Sequence, residues 1–336
     1  MSEPVLTLPH TRIASSPHVH AAPGVTSIML WVVIALLPTT LWAVWNMGML
    51  AVVLLVSCIG STVGTEALWN RIAGKAQTIQ DGSALLTGLL LALALPPRTP
   101  WWVAVAGGIS AIALAKMLFG GLGWNLFNPA LVGRAIIAIS WAGVLAEQSV
   151  PGGWYRGIDV AAVPGHDAIS GATRLAVASA DRVAAGAYGF DLQEQWLPLL
   201  VRNLEGCMGE ISAGLLILGG LVLIARGLID WRIPVGYLGT MALGSWLLGS
   251  DPVFHVLAGG VLLGAFFMAT DYVTSPMTPT GRFVFACGCG LINVVGRFFG
   301  SAPEATTWAI LFMNGLVPLI DKTIVPRTFG WEARRG

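Results

Sequence analysis

The stretch Ser27–Trp45 reads SIMLWVVIALLPTTLWAVW and contains no charged side chain. An apolar run of this length can cross the hydrocarbon core of a bilayer as one helix, because a spanning helix needs roughly 20 residues. The run is too long for the apolar part of a cleaved signal peptide, and further apolar runs follow it. It therefore predicts the first span of a polytopic membrane protein.

The composition of the whole chain favours the same class. Of 336 residues, 55% are apolar and 10% are charged, whereas soluble domains carry about 25% charged residues. The formal net charge is +1, which provides no electrostatic basis for binding nucleic acid. The chain is therefore predicted to be an all-α protein embedded in a lipid bilayer.

Apolar runs recur along the chain, separated by proline, glycine, tryptophan or charged residues. They predict about ten transmembrane helices, five on each side of a long polar segment. The third and fifth are short, which indicates broken or tilted helices around an internal site. The predicted spans centre near residues 27–45, 49–68, 83–96, 101–119, 130–146, 211–225, 234–248, 253–270, 282–299 and 305–320.

Five spans on each side of the polar segment predict two inverted five-helix repeats, because an odd number turns the second group upside down. The third span of each group begins at an aspartate, Asp81 or Asp251, and ends in proline-broken backbone. A chance likeness between two Gly/Leu/Ala-rich membrane segments is the alternative. The predicted divisions are a tail at 1–26, repeats at 27–146 and 211–321, a loop at 147–210 and a tail at 322–336.

Basic residues predict the orientation of the spans. With a cytoplasmic N terminus, the inner connections and the C-terminal tail carry most of the Lys and Arg, while the short outer turns carry little beyond Arg98. Both termini are therefore expected in the cytoplasm, and the 147–210 loop on the periplasmic face. The inner basic residues are Arg71, Lys75, Arg226, Arg232, Arg282, Lys322, Arg327, Arg334 and Arg335.

The 147–210 loop contains the stretch Asp167–Thr173, which reads DAISGAT. Its Ser-Gly-Ala-Thr core presents two hydroxyl groups on a turn of small residues, where a bulky group could approach the Thr173 oxygen. Ser, Gly and Thr are also ordinary turn residues, so an unmodified surface loop is the alternative.

Two connections on the predicted inner side each combine glycine or proline, hydroxyl or amide side chains, an aromatic residue and a nearby arginine. They are Phe119–Ala130, which leads to Arg134, and Ala269–Pro276, which leads to Arg282. Irregular backbone at membrane depth needs protein or a cavity to satisfy its polar groups, so these connections could cradle a planar polar ligand. Ordinary turns and helix caps are the alternative.

Acidic residues argue against a complete ion path within this chain, because none of them lies in the middle of a predicted span. Glu210 is the best single candidate for an ion or interface role, and a solvated acid at a helix start is the alternative. The acids near span ends are Glu66, Glu210, Asp230, Asp251 and Asp271.

Neither a metal centre nor a hydrolytic site is predicted. The four cysteines include a Cys287-Gly-Cys289 pair, which lacks the spacing of metal sites, and they are expected to be small buried residues. His18 and His20 lie in the polar tail and are expected to be solvated. No Ser/His/Asp grouping, HExxH motif or pair of catalytic carboxylates is present, so no catalytic residue is assigned.

These motifs resemble the RnfD/NqrB family of membrane subunits in ion-translocating electron-transport complexes. Asp167–Thr173 matches the signature D-x-x-[S/T]-G-A-T, at which a flavin transferase attaches FMN to threonine through its phosphate. The likeness covers nearly the whole chain, including the segments FGGLGWNLFNPA and MATDYVTSPMTPTGR. The short N-terminal tail favours the Rnf branch, since NqrB-like chains have a longer extension.

The resemblance implies two flavins. FMN would be attached covalently to Thr173, and Arg174, where many relatives have a small residue or proline, could pair with the phosphodiester. A non-covalent riboflavin would be the second. The residues implied for the FMN site are Asp167, Ser170, Gly171, Ala172, Thr173 and Arg174, and those for the second flavin are Asn128, Arg134, Asp271, Thr274 and Ser275.

The resemblance also implies a place in a larger assembly of the bacterial inner membrane. The chain would be a translocase subunit, not catalytic alone, that relays electrons between NADH and ferredoxin or flavodoxin and couples them to H⁺ or Na⁺ movement. Its partners would be RnfA, RnfB, RnfC, RnfE, RnfG and a flavin transferase. A small-solute channel or secondary transporter, or a subunit that only anchors redox partners, are the alternatives.

Overall fold

A computed structural model describes residues 24–146, 196–201, 206–300 and 305–325. These residues form helices and connections, and no β-strand occurs among them. In the first half the helices are α1 Val25–Met47, α2 Met49–Ile72, α3 Ser83–Leu93, α4 Trp101–Ile112, α5 Pro129–Ser140 and α6 Ala142–Ala146. After them come α7 Trp196–Val201, α8 Ala213–Ala225, α9 Arg232–Leu247, α10 Pro252–Leu257, α11 Val261–Leu263, α12 Pro279–Phe299 and α13 Thr306–Thr323.

Four shorter helical turns complete these elements. A 3₁₀ turn, Ile79–Asp81, precedes α3, and another, Met208–Glu210, precedes α8. A π-helical turn, Ala113–Met117, continues α4, and a second, Gly264–Met268, continues α11. Single π turns widen a helix locally and occur often at functional sites.

Three of the described helices, α1, α2 and α12, are long and apolar enough to cross a membrane. Shorter apolar helices are α3, α4 with its π turn, α5 and α8. Many side chains on the long helices, such as Leu41 and Val56, are large, apolar and exposed, as lipid-facing residues are. The protein is therefore a multi-pass membrane protein.

Helix packing follows the same order in the two halves. In the first half α2 packs against α3 and α4, and α5 packs against α4; in the second, α9 packs against α10 and α12, and α13 packs against α12. Helix α1 packs against α8 and so joins the halves. Glycines allow the closest approaches: a Cβ on Gly88 would lie 2.7 Å from Ile59 Cα, and one on Gly290 would lie 2.8 Å from the Tyr237 carbonyl oxygen.

Two of the predicted spans are interrupted. The predicted span 130–146 ends as α5 at Ser140 and resumes as α6. The predicted span 253–270 breaks between α10 and α11, where Gly259 and Gly260 adopt φ angles of 72° and 65°. Such angles suit glycine and end the α10 helix, so the carbonyls of that turn need other hydrogen-bond donors. The break therefore creates a polar position inside the second half.

Candidate functional site

The residues predicted to carry FMN lie outside the described part of the chain. They are Asp167, Ser170, Gly171, Ala172, Thr173 and Arg174. The structure does describe the five candidate residues for a second flavin and the two connections near them. Their arrangement defines a candidate ligand site.

A cavity lies between α1, α3 and α8 and is closed by the two connections predicted to face the cytoplasm. It contains about 710 Å³ of empty space, its open mouth included. The apolar walls come from α1, α3, α8 and the second π turn, whose Phe266 and Phe267 both line the cavity.

Both connections supply polar residues to this cavity. Asn125 and Asn128 come from the first connection, and Thr270, Asp271 and Tyr272 come from the second. Two segments that are far apart in the sequence thus meet around one space. Apolar walls with a few convergent polar groups are the usual composition of a ligand site.

Asn128 mainly holds the first connection against the second π turn. Its Oδ1 accepts hydrogen bonds from the N–H groups of Ala130 and Leu131, at 3.0 and 3.4 Å, and so caps α5. Its Nδ2 donates to the Met268 carbonyl at 3.2 Å. Asn128 therefore fixes the start of α5 against the end of the second π turn.

Asn125 is the residue that points most directly to a ligand. The side chain is 4% exposed, and its Nδ2 donates to the Phe127 carbonyl at 3.4 Å. Its Oδ1 is buried and accepts no hydrogen bond from the described residues. Leaving a buried acceptor unpaired costs about 1–3 kcal/mol, so a donor from a bound molecule or a water would stabilise it.

Asp271 contributes an acceptor to the cavity. Its carboxylate accepts hydrogen bonds from the Val273 N–H at 3.4 Å and from the Thr274 hydroxyl at 3.1 Å. Burial raises the pKa of the Asp271 carboxyl above its ordinary value, and these two hydrogen bonds offset only part of that rise. Thr274 and Ser275 are buried but are not among the residues that line the cavity.

A buried ion pair borders the cavity. Lys116 lies in the first π turn, and its Nζ is 2.7 Å from Glu66 Oε2 on α2. The side chains of Lys116 and Glu66 are 2% and 0% exposed. Charged groups inside membrane spans are costly, and they are usually paired and functional. Lys116 also lines the cavity, so this ion pair belongs to the site.

Further hydrogen bonds extend the ion pair toward the end of α2 and the start of α3. Lys116 Nζ donates to Ser83 Oγ at 2.5 Å, and Ser83 Oγ donates to Asp81 Oδ1 at 2.5 Å. The Thr78 hydroxyl donates to Glu66 Oε1. Sequence reasoning missed this cluster, although a lysine within the predicted span 101–119 was a usable signal.

Arg134 lies at a second cavity, lined also by Cys207, Glu210 and Thr307. Its guanidinium donates to the Ala94 carbonyl at 2.7 Å and to the Thr307 hydroxyl, and it lies 3.7 Å from Cys207 Sγ. These contacts join the first half to the second. The five residues considered for a second flavin therefore do not share one cavity. Asn128 and Asp271 line the first cavity, Arg134 lines the second, and Thr274 and Ser275 line neither.

Glu210 is buried between glycines at the second cavity. A Cβ on Gly206 would lie 2.7 Å from Glu210 Oε2, and one on Gly260 would lie 3.2 Å from Oε1. Glu210 is 9% exposed, in contrast to the solvated helix-start acid that sequence reasoning weighed as its alternative.

Comparison with known proteins identifies close relatives. The model of the NQR2, RnfD, RnfE family matches residues 12–330. The chain is 42% identical to the D subunit of the Na(+)-translocating ferredoxin:NAD(+) oxidoreductase complex of Acetobacterium woodii, over 95% of each chain. It is 40% identical to the D subunit of the proton-translocating ferredoxin:NAD(+) oxidoreductase complex of Clostridium ljungdahlii, over 95% of this chain and 96% of the relative. It is 41% identical to the D subunit of the ion-translocating oxidoreductase complex of Stutzerimonas stutzeri, over 93% and 94%.

Proposed function

Because the chain belongs to the NQR2, RnfD, RnfE family, we propose that it relays electrons through bound flavins in an ion-translocating oxidoreductase complex. Its relatives are named as the D subunits of such complexes, at 40–42% identity over more than nine-tenths of the chain. The chain is accordingly a subunit of a translocase, and other Rnf subunits are its partners. The names of the relatives include both a sodium-translocating and a proton-translocating complex, so they do not decide the ion.

FMN attached to Thr173 is the first part of the proposed relay. The support is the DAISGAT motif at Asp167–Thr173, in the long polar segment between the two groups of apolar spans. A phosphate ester at Thr173 would keep the flavin on the protein even where the loop is open to the exterior. A flavin transferase is the partner that this modification requires.

In-gel flavin fluorescence after denaturation in SDS tests the covalent link. Fluorescence should remain with the native chain made together with a flavin transferase, and it should disappear in Thr173→Val. Ser179→Ala is the matched control, because it removes a hydroxyl from the same loop outside the motif. An unmodified mass for the native chain would refute the covalent flavin.

A non-covalent flavin in the first cavity is the second part of the proposed relay. The observation that carries this assignment is the buried Oδ1 of Asn125, which accepts no hydrogen bond within the part of the chain that the structure describes and which the N–H of a flavin ring could satisfy. Asp271 offers a further acceptor, Lys116 offers a donor, and Phe266 and Phe267 offer apolar surface for a planar ring.

Charge favours riboflavin over FMN in this cavity. Lys116 is the one basic side chain among the described residues that line it, and Glu66 already neutralises that lysine. A phosphate group would therefore enter a site without a free positive charge, at a high desolvation cost. Riboflavin carries no phosphate and avoids that cost.

Acid extraction tests the second flavin separately from the first. The native chain should release riboflavin into the supernatant and retain FMN in the pellet. Asn125→Ala should reduce the extracted riboflavin by roughly tenfold, equivalent to about 1.4 kcal/mol of binding free energy, and leave the FMN on Thr173 unchanged. Equal riboflavin in the native chain and in Asn125→Ala would exclude Asn125 from the site.

The proposed architecture is a pair of inverted repeats with both termini in the cytoplasm of a bacterial cell. The common packing order of α2, α3 and α4 and of α9, α10 and α12 supports the repeat. Labelling of single cysteines in inverted and right-side-out inner-membrane vesicles tests it. A cysteine at Gly121 should react only from the cytoplasmic side, and one at Gln148 only from the periplasmic side.

A solute transporter is disfavoured by the break in the second half. Transporters of inverted-repeat design often bind their cargo at the ends of broken helices. Here Arg297 donates hydrogen bonds to the carbonyls of His255, Ala258 and Gly259, at 2.7, 2.6 and 2.9 Å. The polar groups of the break are thus engaged by the protein itself.

A further inference from the structure

A continuous series of hydrogen bonds connects the first cavity to the edge of the protein. Lys116 Nζ donates to Ser83 Oγ at 2.5 Å, and Ser83 Oγ donates to Asp81 Oδ1 at 2.5 Å. Lys116 and Ser83 are buried and line the cavity, whereas Asp81 is partly exposed. Hydroxyl groups can both accept and donate a proton, so Ser83 can pass one between its two neighbours.

The Lys116 ammonium has a donor left for a molecule in the cavity. An ammonium carries three hydrogens, and among the described residues Nζ donates to Glu66 and Ser83. The Asn125 Oδ1 atom, which accepts no hydrogen bond from the described residues, belongs to the wall of the same cavity. Among the described residues, an unused donor and an unused acceptor thus line the same cavity.

The charged and titratable groups near Lys116 come from three parts of the fold. Glu66 on α2 is its direct partner, and Asp81 lies one hydroxyl away. Asp271 and Tyr272, from the second connection, line the same cavity. Within the described residues, the cavity lining contributed by α1, α3, α5 and α8 includes no titratable side chain.

Glu66 explains how a lysine can remain charged at this depth. A buried ammonium without an anion would lose its proton or destabilise the fold. Glu66 supplies the anion, and the Thr78 hydroxyl and the Lys116 ammonium each donate to one of its oxygens. The pair is therefore neutral as a whole, and only Lys116 faces the cavity.

We propose that Lys116 exchanges protons with the cavity ligand and, through Ser83 and Asp81, with water at the face predicted to be cytoplasmic. This inference rests on the proposed second flavin. If a one-electron donor of the complex reduced a ring in this cavity, Lys116 would be the group that supplies the accompanying proton from Nζ. One N–H bond would break at the lysine and one would form on the ligand, and the neutral amine would regain a proton from water through Asp81 and Ser83.

This proton route would also couple proton uptake to the reduction of the ligand. Electrons added to a ring in an apolar cavity would leave a buried negative charge, which is costly unless a proton follows. The ammonium can supply that proton directly from the cavity wall. When the ring is oxidised, the same groups carry the proton in the opposite direction.

Stopped-flow reduction with a pH-indicator dye tests the route. The full-length chain in detergent, in a Thr173→Val background, should report only the cavity flavin. Reduction by the methyl viologen radical, a one-electron donor that releases no proton when it is oxidised, should be accompanied by proton uptake at the same rate. Asp81→Asn, which lies outside the cavity lining, should retain extractable riboflavin, and both Asp81→Asn and Ser83→Ala should slow the uptake by roughly 10²-fold, the usual contribution of a positioned proton-transfer group. Thr62→Val, which alters a buried hydroxyl on α2 outside the route, is the control.

A paired variant tests Lys116 itself. Lys116→Gln combined with Glu66→Gln removes both charges, so no unpaired charge remains buried. The pH dependence of the flavin's midpoint potential should change in this variant and remain native in Thr62→Val. A native pH profile in the paired variant, or native uptake rates in both route variants, would overturn the proton route while leaving the flavin site intact.

Two further outcomes are decided by the riboflavin content. Loss of riboflavin from both Ser83→Ala and Asp81→Asn would also overturn the route, because those residues would then hold the ligand instead of passing protons. Absence of extractable riboflavin from the native chain would remove the proposed flavin site and the route together. The extraction, made before any kinetics, therefore separates failure of the site from failure of the route.

Discussion

Lys116 and Arg297 are both buried basic residues near the C-terminal end of a helix, yet their surroundings differ. Lys116, in the turn that continues α4, contacts a carboxylate and a hydroxyl and lines a cavity. Arg297, near the end of α12, donates to three backbone carbonyls at the break after α10. Helices α4 and α12 also occupy matching positions in the packing order of the two halves.

A buried positive charge can therefore serve either structure or chemistry, depending on which side chain carries it. A guanidinium is always protonated and has several donors in a fixed plane, so it suits a permanent bond to several carbonyls. An ammonium can release a proton and has rotatable donors, so it suits exchange with a ligand. In this protein the arginine closes a broken helix, and the lysine borders the cavity.

The largest effect is expected from Arg297→Leu. Three carbonyls of the break would lose a donor, although the Gly259 carbonyl would keep another, the Thr306 hydroxyl at 3.4 Å. Each unsatisfied buried group costs about 1–3 kcal/mol. We expect the free energy of unfolding in detergent to fall by at least about 3 kcal/mol. Arg297→Lys should recover only part of the loss, because an ammonium cannot match the planar arrangement of donors. An unchanged unfolding midpoint in Arg297→Leu would show that the break does not depend on this residue.

A smaller effect is expected when Lys116 is replaced alone. Lys116→Met leaves Glu66 charged in a buried position, which costs about 3 kcal/mol. Adding Glu66→Gln should recover most of that loss, since the double variant contains no unpaired charge. The two substitutions would then be strongly non-additive in a double-mutant cycle of unfolding measurements, because each single variant leaves one buried charge unpaired and the double variant leaves none. Strict additivity would mean that the pair makes no net contribution.

Much of the helical organisation could be predicted from hydropathy. Helices lie on all ten predicted apolar segments, and the prediction of short third and fifth segments agrees with α3 and α5. The break at Gly259 and Gly260 was missed, because a glycine pair in an apolar run also occurs in continuous membrane helices. Only the left-handed φ angles of these glycines reveal that the helix ends there.

The candidate site could be predicted only in part. Sequence reasoning selected the two connections from their irregular polar composition, and the structure brings them to one cavity through Asn128 and Asp271. It missed Lys116 because a lysine near a span end usually extends to the membrane surface. The π turn at Ala113–Met117 places Lys116 against Glu66 instead, and such a turn has no clear signature in the sequence.

The smallest effect is expected at Asp230, a partly exposed counterpart of these buried charges. Burial raises the pKa of its carboxyl, but the Arg232 N–H and the side chains of Arg282 and Arg232 lower it more, so the net pKa lies below the ordinary value. The stabilisation is therefore present at pH values above the unfolded pKa, about 3.9, and is lost as the pH falls through the folded pKa.

Asp230→Asn tests this contribution and allows a partly exposed ion pair to be compared with the buried Lys116–Glu66 pair. Asp230 contacts Arg282 at 3.0 Å and Arg232 at 3.2 Å, and both arginines are partly exposed to solvent. Solvent screening limits such pairs, so we expect a loss of about 1 kcal/mol or less at pH 7. The difference between native and variant unfolding midpoints should shrink as the pH is lowered toward 3. A difference that stays constant with pH would assign the effect to packing, and the charge of Asp230 would then have no part in stability.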